Sequence, residues 1–135
     1  MKYNLDSINL RVLFENTSGI QLKDCIVKED KVIYITKGGD IGKAVGKNGI
    51  NVKKVANLVK KNLKVVEFSE DLTQFIKNYI YPIIPESVSL EDKTVKIKIN
   101  GMKEKGIVIG RESKNLKELK DVVSKYFKVL DIKVI

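Results

Sequence analysis

Val45-Gly46-Lys47-Asn48-Gly49-Ile50 joins two stretches whose apolar residues recur at helical spacing. Asp40 to Val45 is predicted as a short helix, and Asn51 is placed to cap a longer one running through Lys61. The two glycines therefore fall at a tight corner between helices. Glycine serves such a corner twice: it takes positive φ without strain, and it lets another backbone approach where a Cβ would stand. The second helix begins here, and the unpaired amides and partial positive charge of its first turn favour an anion. Lys47 adds a mobile cation, and the flanking valine and isoleucine an apolar floor. These residue types in this order suit a phosphodiester backbone with bases lying beside it.

Working outward, Ser7 to Phe14 carries Ile8, Leu10, Val12 and Leu13 as a passable amphipathic helix, opened by Asp6 or Ser7 and ending near Thr17-Ser18-Gly19. Asp24 to Glu29 and Lys31 to Thr36, rich in β-branched residues, read as strands joined at Glu29-Asp30. Lys64 to Phe68 reads as a third strand beyond the corner. The order is α-β-β-α-α-β, and it then begins again. Glu70 to Ile80 is a helix stopped by Pro82 and Pro85. Val88 to Leu90 and Thr94 to Ile99 follow as strands. Met102 to Ile109 and Asn115 to Phe127 are helices about a corner at Gly110, and Val129 to Val134 closes the set. An offset of 64 residues aligns Gly42 with Gly106, Gly46 with Gly110 and Asn51 with Asn115. The same offset pairs Ile33 with Ile97, Ile35 with Ile99, Val59 with Val123 and Val65 with Val129. One register held across strands, corner and helix marks an internal duplication, with domains expected at 1–68 and 69–135.

Gly46-Lys47-Asn48-Gly49 between two helices resembles the G-x-x-G loop of a KH domain, the RNA-binding module in which that loop clamps the backbone of about four nucleotides. With a helix first and the unit duplicated, essentially the whole chain resembles a tandem of type II, prokaryotic KH domains. That pairing is similar to the tandem in the NusA transcription elongation and termination factor, and its length to the short archaeal NusA-like proteins. The resemblance implies an α+β fold of two α-β-β-α-α-β domains and a single-stranded RNA-binding factor without catalysis or cofactor. It places Gly46 and Gly49 against the RNA backbone, Lys47 near a phosphate, and Asn48 in hydrogen bonds to phosphate or sugar. Ile41, Val45 and Val52, with Ile33 and Ile35 from the second strand, are candidates for the groove floor; the plainer reading makes them core. Lys43, Lys53 and Lys54 surround the corner and add long-range attraction.

The second corner, Gly110-Arg111-Glu112-Ser113, departs from the pattern. Serine in place of the closing glycine penalises positive φ and brings a side chain into the backbone's path. Glu112 sets a negative charge where a phosphate would lie, while Arg111 keeps the means for a bidentate contact. Gly110 and Arg111 are expected to bind RNA weakly. A protein scaffold docking on RNA polymerase or a ribosomal surface is the alternative reading, strongest for this half.

Charge and composition point the same way. The chain of 135 residues has a net charge of +9, and it is clustered. Asp40 to Lys64 and Glu104 to Lys128, the two segments that hold the corners, carry all of the excess. Clustering of that kind points to a polyanion. There is no histidine and one cysteine, Cys25, so no ordinary zinc site, disulfide or Ser-His pair is available. Cys25 falls in a strand's apolar alternation and reads as buried filler. Gly42 to Asn48 superficially resembles a P-loop but is one residue short between its glycines and lacks the Ser/Thr that holds Mg²⁺. No apolar run nears the roughly 18 residues that span a bilayer, and no signal-peptide pattern opens the chain. A cytoplasmic monomer, with no membrane or metal partner, is expected.

Overall fold

Strand β2 (Lys31–Thr36) organises the first half, and Val32, Ile33, Tyr34, Ile35 and Thr36 are all buried. β1 (Leu22–Val27) lies antiparallel on one side of it and β3 (Asn62–Glu67) parallel on the other. A parallel pair needs a long crossover, and helices α2 (Ile41–Val45) and α3 (Ile50–Val59) provide it. Helix α1 (Lys2–Ser18) precedes the sheet. The computed structural model describes residues 2–135, with side chains from Ile8 onward.

The core of this half is Phe14, Leu22, Cys25, Val32, Tyr34, Ala44 and Val55, with Phe14 and Tyr34 ring centroids 4.3 Å apart. The Tyr34 hydroxyl donates to the Leu10 carbonyl (3.0 Å), which gives a buried polar atom its partner. Burial pushes the pKa of this phenol up. Arg11 donates to the Leu22 carbonyl (2.6 Å) and Glu15 accepts the Leu22 amide (2.7 Å). Both backbone groups at the start of β1 are thus held by α1.

The second half repeats the order with α4 (Leu72–Ile80), β4 (Ser87–Glu91), β5 (Thr94–Lys98), α5 (Met102–Ile109), α6 (Lys114–Tyr126) and β6 (Asp131–Val134). Its sheet, β4-β5-β6, has the same antiparallel and parallel pairs. The chain divides into two units, Met1–Ser69 and Glu70–Ile135. Asp71 starts α4 by accepting from the Thr73 hydroxyl (2.9 Å) and amide (3.0 Å), bonds that hold its carboxyl below the usual range. Phe75, Ile76, Tyr79 and Ile80 form the buried face of this helix, and Phe75 meets the Tyr126 ring edge-on at 5.8 Å. The Tyr79 hydroxyl donates to Glu118; burial, and then this bond, raise its pKa. Each unit has the α-β-β-α-α-β order of a KH-like α+β fold.

Several boundaries differ from the sequence reading. Helix α1 begins at Lys2, ahead of the Asp6 or Ser7 expected to open it, whose side chains lie outside the described residues. Helix α3 begins at Ile50 behind a left-handed Gly49 and closes on Lys60, also left-handed, so Asn51 is not its cap. The repeat keeps its offset at the corners but not in the sheets. Lys31 and Thr94 head equivalent strands opposite Asn62 and Asp131. Counted from there, Val32 and Tyr34 match Val95 and Ile97, while Ile33 matches Lys96. A slip of one residue exchanges the faces of a strand. Val65 faces Tyr34 and matches Val134, which faces Ile97, rather than Val129. For this last strand the shift of five residues lies beyond the corner: α6 has 13 residues against 10 in α3, and the connection that follows it is two residues longer.

Candidate nucleic-acid interface

Both corners follow one backbone path. Gly46 has φ 78 and ψ 169, Gly110 φ 76 and ψ 169, a region essentially confined to glycine. Asn48 (φ 55, ψ 26) and Gly49 (φ 72, ψ 21) are followed closely by Glu112 (φ 55, ψ 31) and Ser113 (φ 61, ψ 22). Serine therefore takes the left-handed conformation of the closing glycine. The turn itself accepts a side chain at this place: a Cβ on Gly49 would meet only Lys53 Cε, at 4.0 Å, and the cost that remains for Ser113 is its positive φ.

The hydrogen bonds repeat as well. The Gly49 amide donates to the Gly46 carbonyl (3.0 Å), and the Ser113 amide to the Gly110 carbonyl (3.1 Å). The Ile50 amide donates to the Lys47 carbonyl. The corner's own bonds thus use the Gly49 and Ile50 amides and leave those of Lys47 and Asn48 unused. They belong to the residues that lead directly into the ten-residue helix α3, whose dipole is positive at its start.

Most of the residues singled out in the sequence lie where a ligand can reach them. Lys47 and Asn48 are exposed, as are Lys43, Lys53 and Lys54. The Lys53 stem runs beside Gly49, which brings its cation to the corner. Lys54 is one residue further round the helix, about 100° away. Ile41, Val45 and Val52 are half-buried beside the corner, and Ile50 is 48% exposed, so an apolar ledge exists. Ile33 and Ile35 are wholly buried, so the core reading prevails and they leave the candidate floor.

At the second corner Arg111 and Glu112 are exposed, and with Lys114 and Lys117 they line an open cavity of about 480 Å³. Lys114 and Lys117 were not singled out in the sequence. Their signal is the three-residue spacing that puts two side chains on one helix face. Asn51, expected as a helix cap, and its counterpart Asn115 both bond across their corners instead. The Asn51 amide donates to the Lys43 carbonyl (3.1 Å) and the Asn115 amide to the Ile107 carbonyl (2.9 Å). Among the described residues no group of acidic or cysteine side chains is placed to hold a metal ion, and no helix is long and apolar enough to cross a membrane.

Comparison with known proteins follows the whole chain. No family model matches it. It is 34% identical to a probable transcription termination protein NusA from Methanococcus vannielii, over 100% of this chain and 80% of that one. It is also 34% identical to the protein of the same name from Methanocaldococcus jannaschii, over 90% of this chain and 68% of that one. The Thermoplasma acidophilum protein of that name is 30% identical over 90% and 87% of the two chains. The crystal structure of APE1850 superposes with a TM-score of 0.76 at 31% identity, covering 97% of this chain and 99% of that one.

Proposed function

This chain belongs to the family of probable transcription termination proteins NusA, and we propose that it binds single-stranded RNA through its first corner and acts without catalysis in transcription elongation or termination. In this reading residues 1–68 are the RNA-binding KH domain and 69–135 a KH domain with a degenerate corner. The observation that carries it is the union, at one helix entry, of unused Lys47 and Asn48 amides, exposed Lys47 and Asn48 side chains, and Lys53 alongside. Charge-assisted hydrogen bonds of that kind contribute roughly 1.5–3 kcal/mol each. Ile41, Val45 and Ile50 give bases an apolar surface to lie on. Lys43 and Lys54 add to the field, and Gly110 with Arg111 makes a weaker second contact.

Single-stranded RNA fits this corner better than duplex, because a glycine corner meets one splayed backbone whereas a duplex keeps its base edges paired. The test is competition binding across salt concentration. Single strand should outcompete duplex of equal length, with log K falling by about 0.7 per neutralised phosphate for each decade of salt. Equal competition by duplex would sink the reading. The second unit has a second reading, a surface for a protein partner such as RNA polymerase or the ribosome. Glu112, exposed where a phosphate would sit, favours it there.

A further inference from the structure

The two glycines of the first corner do different work, and the neighbouring atoms show which does what. A Cβ on Gly46 would lie 2.8 Å from Asn51 Nδ2, 3.0 Å from Asn51 Cγ and 3.0 Å from Ile50 Cγ2. The space that Gly46 leaves is therefore filled by the protein's own asparagine. From that seat the Asn51 amide reaches back to the Lys43 carbonyl (3.1 Å), in the last turn of α2. Carbonyls at a helix end have no partner within the helix, so Asn51 closes α2 from the first turn of α3. Gly49 is the opposite case, with open space around it except for the far end of Lys53.

The second unit repeats the arrangement with different neighbours. A Cβ on Gly110 would lie 2.6 Å from Asn115 Cγ and 2.7 Å from Asn115 Nδ2, and that amide donates to the Ile107 carbonyl (2.9 Å). What repeats is the glycine, the asparagine five residues on, and the bond to the helix before. What does not repeat is the closing glycine, whose place Ser113 takes on nearly the same dihedrals.

We propose that Asn51 is a positioning residue for the RNA-binding corner, seated by Gly46, and that Gly49 alone of the two glycines lies open to the RNA backbone. This rests on the RNA-binding reading above. Asparagine meets both demands of the seat, being short enough to lie over Gly46 and carrying a donor for the carbonyl. Aspartate has the same shape but no donor, and would set a carboxylate against that carbonyl.

The experiment compares four full-length proteins: wild type, Asn51→Ala, Asn51→Asp and Asn115→Ala. Each is titrated against a labelled single-stranded RNA, melted, and followed by amide hydrogen exchange. Asn51→Ala and Asn115→Ala break the same bond and should lower the melting temperature alike. A merely structural role would lower their affinities alike as well. Positioning predicts an affinity loss of about tenfold for both Asn51 variants, as expected when a hydrogen-bonded carbonyl loses its donor, and little change for Asn115→Ala. Equal losses in the two units, or full affinity in Asn51→Ala, would overturn the proposal. A wild-type protein that fails to bind RNA defeats the functional reading instead. The positioning is then judged on exchange alone: faster exchange at Gly49 and Ile50 in Asn51→Ala supports it, and unchanged exchange overturns it.

Discussion

Asn48 and Gly49 in the first unit, and Glu112 and Ser113 in the second, occupy the same backbone positions to within about ten degrees in φ and ψ. One pair is neutral, and its closing residue has no side chain. The other carries a charge and a hydroxyl. Yet the corners hold the same shape and make the same amide-to-carbonyl bonds. The shape is therefore set by what the corners share, a glycine in a glycine-only conformation and an asparagine five residues on. The chemistry is set by what they do not share. Shape and binding are separable, so each can be broken alone.

The largest effect should come from breaking the shape. Gly46→Ala forces a Cβ into a forbidden backbone region and against Asn51, and Gly110→Ala does the same against Asn115. Backbone strain of about 1–3 kcal/mol and overpacking of similar size should together cost each variant roughly 2–6 kcal/mol. Gly49→Ala meets open space and carries only the left-handed penalty, about 1–2 kcal/mol. Denaturant midpoints will rank them. If Gly49→Ala is as damaging as Gly46→Ala, the division between the two glycines fails.

Binding comes next. Aspartates at both Lys47 and Asn48, with the glycines left in place, set two negative charges beside a phosphate. RNA affinity should fall at least tenfold, which needs only about 1.4 kcal/mol. Arg111→Asp should cost less, because Glu112 already repels a phosphate there. Affinity titrations of proteins with wild-type melting will decide. An intact first-corner variant beside a dead Arg111 variant would mean that the working unit has been assigned backwards. The reverse change, Glu112→Lys with Ser113→Gly, should tighten binding by about threefold, since one added charge-assisted contact at an exposed site brings little under 1 kcal/mol.

Much of this was legible in the sequence, and the failures have physical causes. The element order survived because β-branched runs and glycine corners are local signals. The exposed cations at the first corner survived because no apolar neighbour claims them. Strand register did not. In β2 five successive residues are buried, so the alternation that would have marked the core face is absent, and an offset taken from the glycines chose the wrong face. Asn51 was misread for a related reason. Asparagine before an apolar run looks like a cap, but a left-handed Gly49 takes that place and starts the helix two residues early. Asn51 then falls inside the helix, and its target, the Lys43 carbonyl, belongs to a different element. No spacing rule for a single helix contains that partner. Lys114 and Lys117 lie outside the four-residue corner pattern, and by sequence two lysines on one helix face look like any solvated surface.

The smallest expected effect separates the corners by strain alone. Asn48 and Glu112 share φ 55, and asparagine is among the few side chains at ease there, because its short amide hydrogen-bonds locally. Glutamate has no such compensation. Ser113 at φ 61 likewise stands where the first unit has glycine. The second corner thus holds two residues in a region that the first fills with residues suited to it. Glu112→Asn with Ser113→Gly should relieve about 1–2 kcal/mol per position at most, less the extra unfolded-state entropy of the new glycine, about 0.5–1 kcal/mol. The net is a stabilisation on the order of 1 kcal/mol, or a rise of about 4–8 °C if a unit of this size melts by itself. Asn48→Glu with Gly49→Ser, the mirror change in the first unit, should lower the melting temperature by a similar amount. A second unit that gains nothing, while the first loses as expected, would show that packing around Ser113 repays its conformation. The serine would then belong to the second corner's own design and would not be a lapse from the first.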